Sequence, residues 1–440
     1  MEMQPSRRAL TAVGVAVAAV FGLLFSVFGL TPGSAEAATS GIHVGNGRVY
    51  EANGNQFVMR GVNHAYAWYP GQTTAIADIA SKGANTVRVV LGNGDRWTRT
   101  GTAQIATLIG QCKAAKVICV LEVHDTTGYG EDGAATTLDR AAQFWVDNKS
   151  ALDGQEGYVV VNIGNEPFGN TNYTAWTAAT KSAIGKLRNA GIHHALMVDG
   201  PNWGQDWSNT MRDNAASVFA SDPDRNTIFS IHMYGVYNTA AKVQSYLNAY
   251  TANNLPIVVG EFGAQHSDGD PDEDAIMATA QSQGLGYIGW SWSGNGGGVE
   301  YLDLVNGFNK NAPTTWGNRL FGGANGIAST ARTATVYDRP TQSPVVDPSP
   351  SKAPNGYPYC VSSSSDPDGD GWGWESSASC VVRGGRADTG ATASPSPSSL
   401  PSKAPNGYPY CVSSSSDPDG DGWGWESSAS CVVRGGNADH

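Results

Sequence analysis

Basic residues are scarce in this chain, and those present are scattered. Lys and Arg number 27 against 39 Asp and Glu in 440 residues, a net charge of −12. No basic stripe is available to neutralise a phosphate backbone, so nucleic-acid binding is not expected. Beyond the amino terminus no stretch reaches the roughly 18 apolar residues of a membrane span. No glycine-rich phosphate loop appears, and no Ser, His and Asp recur in the order of a hydrolase triad. Histidines are few and dispersed. His43, His193 and His194 have no metal-ligand company, so no metal and no cofactor are expected.

Aromatic residues are plentiful by contrast, with 13 Trp and 17 Tyr. Indole faces suit the apolar faces of pyranose rings; the alternative is that these rings fill core and surface. The apolar fraction, 40%, is ample for a large core, and the length allows one large domain with smaller modules.

The amino terminus reads as an export signal over residues 1–37. Arg7 and Arg8 supply the positive end, an apolar stretch runs from Ala9 to Leu30, and Ala35-Glu36-Ala37 precedes a cleavage before Ala38. The expected protein is therefore secreted, extracellular, free of the membrane after cleavage, and a monomer. Six Cys in an exported chain invite pairing. Cys360 with Cys380, and Cys411 with Cys431, pair naturally within two repeats. Cys112, late in a helical pattern, and Cys119, early in the next strand, are expected to form a third bond; the alternative is two buried thiols.

Composition divides the chain. Residues 38–337 mix strand and helix signals. Residues 338–354 form a Pro/Ser linker, stiff and extended. Lys352 to Gly385 then recurs almost letter for letter as Lys403 to Gly436. The modules are placed at 355–385 and 406–436, with a second linker at 386–405. Each is too short for a large core and needs its disulfide. Asp366, Asp368 and Asp370 match the first half of a calcium loop, as do Asp417, Asp419 and Asp421. Position twelve, however, is Ser377 rather than Glu, and no flanking helices are evident.

Eight strand candidates, 57–63, 86–92, 117–124, 158–165, 194–200, 227–234, 256–262 and 286–293, alternate with amphipathic stretches such as Ile105, Leu108, Ile109 and Cys112. Short β-branched runs bounded by Gly and Pro read as parallel strands buried on both faces. Eight βα units over about 300 residues imply an α/β fold, a (β/α)8 TIM barrel. Arg48-Val49-Tyr50 and Gln56-Phe57-Val58 about Asn53-Gly54 predict a hairpin plugging its floor.

Polar groups gather at the carboxyl ends of those strands, the face where barrel enzymes build active sites. His64 and Trp68 follow the first strand, and Arg88 lies in the second. His124 ends the third, Asn165 and Glu166 the fourth. Asp199, Asn202 and Trp203 follow the fifth. His232 and Tyr234 end the sixth, Glu261 the seventh, and Trp290 and Trp292 the eighth. Two carboxylates on different strands suit glycosidic hydrolysis, one protonated to donate to the leaving oxygen and one ionised to attack or activate water. Asn165 is placed to donate to a sugar hydroxyl. Tyr234 and Arg88 are placed to keep Glu261 anionic, and His124 and His232 to bind hydroxyls or tune the acid.

Taken in order, Arg60-Gly61-Val62-Asn63-His64, Val87-Arg88, Glu122-Val123-His124-Asp125, Gly164-Asn165-Glu166-Pro167, His232-Met233-Tyr234, Gly260-Glu261-Phe262-Gly263 and Trp290-Ser291-Trp292 resemble glycoside hydrolase family 5 over residues 41–337. The stretches His64-Ala65-Tyr66-Ala67-Trp68-Tyr69 and His124-Asp125-Thr126-Thr127-Gly128 look most like bacterial endo-β-1,4-mannanases of that family. The resemblance implies retaining hydrolysis of mannans, with Glu166 as acid/base and Glu261 as nucleophile. Trp290 is favoured over Trp292 as the sugar platform. An endo-β-1,4-glucanase on the same barrel is the alternative.

The repeats are similar to carbohydrate-binding module family 10. Tyr357, Tyr359, Cys360, Trp372, Trp374 and Cys380 carry the likeness, with Tyr408, Tyr410, Cys411, Trp423, Trp425 and Cys431 in the second copy. The resemblance implies binding to cellulose. A stapled module this small cannot bury four aromatics, so some belong on an exposed face. The alternative is that Trp374 and Trp425 form its small core.

Overall fold

The computed structural model describes residues 41–338 and, beyond them, 352–353, 355–360, 371–375, 378–382, 386–389, 408–411, 421–426 and 429–433. The expected leader at 1–37, most of both linkers, and the acidic positions Asp366, Asp368, Asp370, Asp417 and Asp419 lie outside the described residues. The chain divides into two compact units at Arg339–Pro340.

The first unit opens with a hairpin of β1 (His43–Gly45) and β2 (Arg48–Tyr50). Its turn is Asn46-Gly47, both left-handed at φ 47° and 68°, as a two-residue turn matched to strand twist requires. The hairpin expected about Asn53-Gly54 is thus displaced one element toward the amino terminus. Gln56 makes only an isolated bridge back to Tyr50.

Eight parallel strands follow: β3 (Arg60–His64), β4 (Thr86–Leu91), β5 (Ile118–Val123), β6 (Val159–Asn162), β7 (Leu196–Asp199), β8 (Thr227–Met233), β9 (Ile257–Phe262) and β10 (Gly286–Gly289). They pair in sequence order, and β10 closes on β3 with Tyr287 opposite Arg60, so the barrel has no edge. Helices α1 (Ala75–Ser81), α2 (Thr102–Ala114), α3 (Leu138–Asp147), α4 (Lys149–Leu152), α5 (Trp176–Asn189), α6 (Thr210–Ser221), α7 (Ala240–Thr251) and α8 (Glu273–Gln283) supply the crossovers, and α9 (Thr315–Gly322) and α10 (Ile327–Thr330) follow the last strand. No described helix is long and apolar enough to cross a membrane.

Alternation along the strands sorts side chains into two cores. Ile118, Val120, Val160, Met197, Ile228, Val258 and Ile288 meet inside the barrel, where Ile42 and Phe57 close the floor. Cys119, Leu121, Val159, Val161, Leu196, Phe229, Ile231 and Val259 face outward, where they meet helix residues such as Leu108, Ile109, Trp145 and Leu187. Two residues further along, the inward set turns polar: Glu122, Asn162, Asp199 and Ser230 form the next layer, with His232 two residues beyond Ser230.

The cysteine expectation needs correction. Cys112 and Cys119 are free thiols buried in the outer core. Burial pushes the Cys112 thiol well above its usual range, which suppresses the thiolate that thiol chemistry needs.

In the second unit, Cys360–Cys380 and Cys411–Cys431 are bonded. Each staples an antiparallel ribbon, β11 (Trp372–Glu375) with β12 (Ala378–Val381), and β13 (Trp423–Glu426) with β14 (Ala429–Val432). Tyr357 meets Trp372 edge-on at 4.9 Å, and Tyr408 meets Trp423 the same way at 4.8 Å. Tyr357, Tyr408 and Trp423 are exposed, while Tyr359 and Trp372 pack partly onto Ala353, Val381 and Ala387. Tyr410 is half-buried. The side chains of Trp374 and Trp425 lie outside the described residues.

Candidate active site

Arg88, fully buried in β4, organises the barrel mouth. Its Nε donates to Asn162 Oδ1 at 2.8 Å, and its Nη1 to Asn63 Oδ1 at 2.9 Å and Glu261 Oε1 at 2.7 Å. Its Nη2 donates to Asn165 Oδ1 at 2.7 Å and Asp199 Oδ2 at 3.0 Å. One rigid fork therefore ties five strands or strand ends to a common centre, a geometry that the planar guanidinium supplies and an ammonium does not.

Glu261 reaches that centre through an irregularity. The register of β8 against β9 shifts between Ile231 and His232, so that His232 pairs with Glu261. Such an irregularity re-aims a side chain, here into the mouth rather than the outer shell. Tyr234 donates its hydroxyl to Glu261 Oε2 at 3.1 Å. Burial raises the Glu261 carboxyl, opposed by the charges of His232 and Arg88.

Glu166 lies past the end of β6 on backbone at φ 40°, a left-handed conformation rare for a side-chain-bearing residue outside functional sites. His232 Nδ1 stands 2.8 Å from Glu166 Oε1 and 3.5 Å from Glu261 Oε2. Its Nε2 stands 3.4 Å from Asp199 Oδ2, an ion-pair approach that falls short of hydrogen-bond geometry. Burial alone would strip His232 of its charge, but Glu261, Asp199 and Glu166 lift it to about 10. Gly204 makes the close approach possible. A Cβ there would lie 2.6 Å from the His232 ring and 2.8 Å from Glu166 Oε1, and its φ of 71° also favours glycine.

A carboxylate oxygen from each Glu and a His232 nitrogen all lie within 4.8 Å of one another. The donor chemistry does not favour a cation among them. A protonated imidazole has no lone pair to offer, and Arg88 already occupies Glu261.

An aromatic wall stands to one side. His124 follows β5, on the inward parity of Ile118, Val120 and Glu122, and its Nδ1 is 2.9 Å from Glu122 Oε1. Its ring stacks on Trp290 at 5.8 Å and meets Trp68 and Trp97 at 5.0 and 5.2 Å. Trp290 is half-buried, and its Nε1 is fixed by Asn295 at 2.9 Å. On the Glu166 side a cavity of about 440 Å³ is lined by Glu166, Trp203, Gln205, Trp207, Tyr234 and His266, among others.

The structure thus brings Arg88, His124, Asn165, Glu166, His232, Tyr234 and Glu261 together, with Trp68 and Trp290 beside them. The Asn165 amide is largely committed, its oxygen to Arg88 and one hydrogen to Thr127 Oγ1 at 2.9 Å. Two expected residues stand apart. Trp292 is buried in the outer core against Phe321 and offers no face to a ligand. His64 is also buried, and burial holds it neutral, its pKa down to about 4.

Several residues to which the sequence assigns no role belong to the site. Asn63, Glu122, Asn162 and Asp199 build the cradle, and for the last three the signal is inward parity one step above the apolar layer. Asp125, fully buried, accepts backbone N–H groups from Asn93, Asp95, Arg96 and Trp97 at 2.8–3.2 Å and so sets the Trp97 loop. Nothing local in the sequence marks Trp97, Trp207 or His266, which lie in loops.

Residues 50–296, more than half of the chain, match the family described as cellulase (glycosyl hydrolase family 5). The chain belongs to glycosyl hydrolase family 5. Residues 349–382 and 401–433 match the family described as a cellulose or protein binding domain. A mannan endo-1,4-beta-mannosidase of Streptomyces lividans is 70% identical over 381 residues, covering 86% of this chain and 98% of that protein. One from Cellvibrio japonicus is 51% identical, covering 79% of this chain and 81% of that protein. Among solved structures, the mannohexaose complex of Thermomonospora fusca beta-mannanase is 57% identical, with a TM-score of 0.66 over 68% of this chain and 99% of that one. As a family member the chain is a glycoside hydrolase, and the Glu166–Glu261 centre at the carboxyl ends of its strands is its candidate active site.

Proposed function

We propose that this chain is a secreted endo-β-1,4-mannanase that cleaves internal bonds of mannan, galactomannan and glucomannan with retention of configuration. The observation that carries the retaining mechanism is the separation of the two carboxylates, with oxygens within 4.8 Å. Nucleophile and acid/base pairs of retaining enzymes stand about 5 Å apart, whereas inverting enzymes leave roughly 6.5–9.5 Å for a water. The substrate class is supported by the names of the Streptomyces and Cellvibrio relatives.

In this reading Glu261, held by Arg88 and Tyr234, attacks the anomeric carbon as its bond to the leaving oxygen breaks. Glu166 gives that oxygen its proton. With His232 charged, its Nδ1 donates to Oε1, so the proton rides on Oε2. Water then replaces the leaving sugar, Glu166 takes its proton, and the hydroxide adds to the anomeric carbon as the Glu261 ester breaks. Trp290, stacked on His124, offers the platform for the sugar whose bond is cut.

The domain scheme and leader are proposed as expected above: export through residues 1–37, catalysis by 38–337, and tethering to cellulose or plant wall by the two modules of a monomer. The exposed rings of Tyr357, Tyr408 and Trp423, with half-buried Trp372 edge-on to Tyr357, support a sugar-facing surface. A β-1,4-glucanase is the second reading, favoured by the family description. An assay for new reducing ends on galactomannan beside carboxymethylcellulose tests the substrate, and proton NMR of the first-formed sugar tests the mechanism. An initial α-anomer overturns retention; cleavage of carboxymethylcellulose alone overturns the mannan assignment.

A further inference from the structure

Tyr234 lies one residue past β8, so strand pairing does not fix the direction of its ring. Its hydroxyl nevertheless meets Glu261 Oε2 at 3.1 Å. What holds the ring comes from the segment 263–272, between β9 and α8. There the His266 imidazole stacks on Tyr234, with centroids 4.4 Å apart and planes inclined by 28°. The imidazole is held in turn, because its Nδ1 pairs closely with Asp268 Oδ1.

Asp268 also fixes the backbone that carries Tyr234. Its Oδ1 accepts from Gly235 N at 3.0 Å, and its Oδ2 accepts from Gln205 Nε2 at 2.7 Å. Gln205 then accepts from Val236 N at 3.1 Å through Oε1, and from the Tyr237 hydroxyl at 2.9 Å through its backbone oxygen. Gly235 makes the approach possible, since a Cβ there would collide with the Asp268 carboxylate. Burial would raise the Asp268 carboxyl, but Gln205 and His266 hold it below its usual range, so it remains an acceptor. One loop thus fixes both the ring and the backbone of a single tyrosine. A hydrogen bond weakens steeply as it bends, so a phenol free to swing would lose much of its hold on Glu261.

We propose that His266, braced by Asp268, is a positioning residue for the reaction: by covering the Tyr234 ring it keeps the phenol hydroxyl on the Glu261 carboxylate during attack. In this role the imidazole touches no reacting atom, and its effect falls on the chemical step rather than on sugar binding. Besides Tyr234, the groups that act on Glu261 are His232, Arg88, Glu166 and His124. The titratable groups that meet His266 itself are Asp268 and Tyr234. This inference rests on the reading of Glu261 as the nucleophile.

The test compares His266→Ala and His266→Phe with wild type, on whichever of galactomannan and carboxymethylcellulose the enzyme cleaves. His266→Ala is expected to lower kcat about tenfold with KM changed by less than about twofold. The acid limb of its kcat/KM profile should move up by about half a pH unit, because the ionised form of Glu261 loses part of a hydrogen bond. His266→Phe removes the titratable group but keeps a ring to stack, so it should recover most of the rate and return the limb. In a Tyr234→Phe background, His266→Ala should cost less than about twofold, since no hydroxyl is left to position. An unchanged kcat overturns the proposal. So does a loss confined to KM, which would make His266 a direct sugar ligand. A full tenfold loss repeated in the Tyr234→Phe background also overturns it, as a merely structural role would give. The nucleophile is judged separately, by trapping with an activated 2-deoxy-2-fluoro glycoside and peptide mass spectrometry. Label on Glu261 upholds the reading beneath the proposal, and label on another residue overturns both.

Discussion

Replacing Asp199 by Asn should separate the electrostatics of the cradle from its shape. Asp199 is fully buried, 3.0 Å from Arg88 Nη2 and 3.4 Å from His232 Nε2. Burial alone would raise its carboxyl, but Arg88 and His232 hold it down at about 2. Against an unfolded value near 4 that displacement corresponds to about 2–3 kcal/mol at neutral pH. Leaving a buried cation short of a partner costs about 3–5 kcal/mol in comparable sites. We expect a loss of about 3 kcal/mol and a Tm lower by roughly 5–10 °C. The pH dependence carries a signature. A depressed carboxyl contributes stability that is full above its unfolded value and is lost as pH falls through about 2. The raised His232 contributes stability that is full below its unfolded value near 6.5 and is lost as pH rises through about 10. The gap between Asp199→Asn and wild type should stay wide from pH 5 to 8 and narrow toward pH 10, where the His232 part vanishes in both proteins. Misplacement of Arg88 should also cost roughly 10–100-fold in kcat. Thermal melts at pH 5, 7, 8 and 10 measure the first effect and kinetics the second. A Tm within 1 °C of wild type at pH 7 would refute the idea that Asp199 carries the charge balance of the site.

Other expectations follow from single contacts. Tyr234→Phe removes the hydroxyl that donates to ionised Glu261, so the acid limb of the kcat/KM profile should move up by about one pH unit; an unmoved limb would deny that bond a role in catalysis. Glu166→Ala should lower mannan cleavage by several orders of magnitude but harm an activated aryl mannoside much less, with azide rescuing the second step; equal losses without rescue would point to a structural role. His194 is buried with neither ring nitrogen hydrogen-bonded, and burial lowers it to about 4, so wild type should lose up to ~3 kcal/mol as pH falls from 6.5 to 4; His194→Leu should flatten that decline, and an equally steep fall in Tm would contradict the assignment. Ending the chain at about residue 338 should spare activity on soluble mannan and abolish retention on microcrystalline cellulose, and a truncated protein that still binds cellulose would overturn the module assignment.

What the sequence discloses about this site depends on how far each side chain stands from regular strand geometry. Period-two alternation is a local rule, so the spacing of Ile118, Val120, Glu122 and His124 is enough to assign them to one face. The same rule places Asn162 above Val160 and Asp199 above Met197, which makes the polar layer legible wherever the strand stays regular. The rule fails wherever the backbone departs from a strand. Glu261 faces the mouth through a register shift, and Glu166 through a left-handed residue beyond β6; each is marked by its motif, and alternation alone misjudges it. Strand boundaries slip for the same reason. The run expected at 158–165 ends at Asn162, because the chain must turn there to present Glu166.

Trp292 exposes the opposite error, since proximity to a motif cannot tell a ring that faces the mouth from one that seals the outer shell. The cradle around Arg88 is the least legible part of all. Its partners, Asn63, Asn162, Asn165, Asp199 and Glu261, come from four strands or their ends, up to 173 residues away, and none is specified by its neighbours in sequence. A buried guanidinium needs all of its donors satisfied at once, so the identity of each partner is set by the others. That mutual dependence argues that the cradle acts as one unit. Double variants within it, such as Asp199→Asn with Asn162→Ala, should lose far less than the sum of their single losses. Strict additivity would instead mean that the partners hold Arg88 independently.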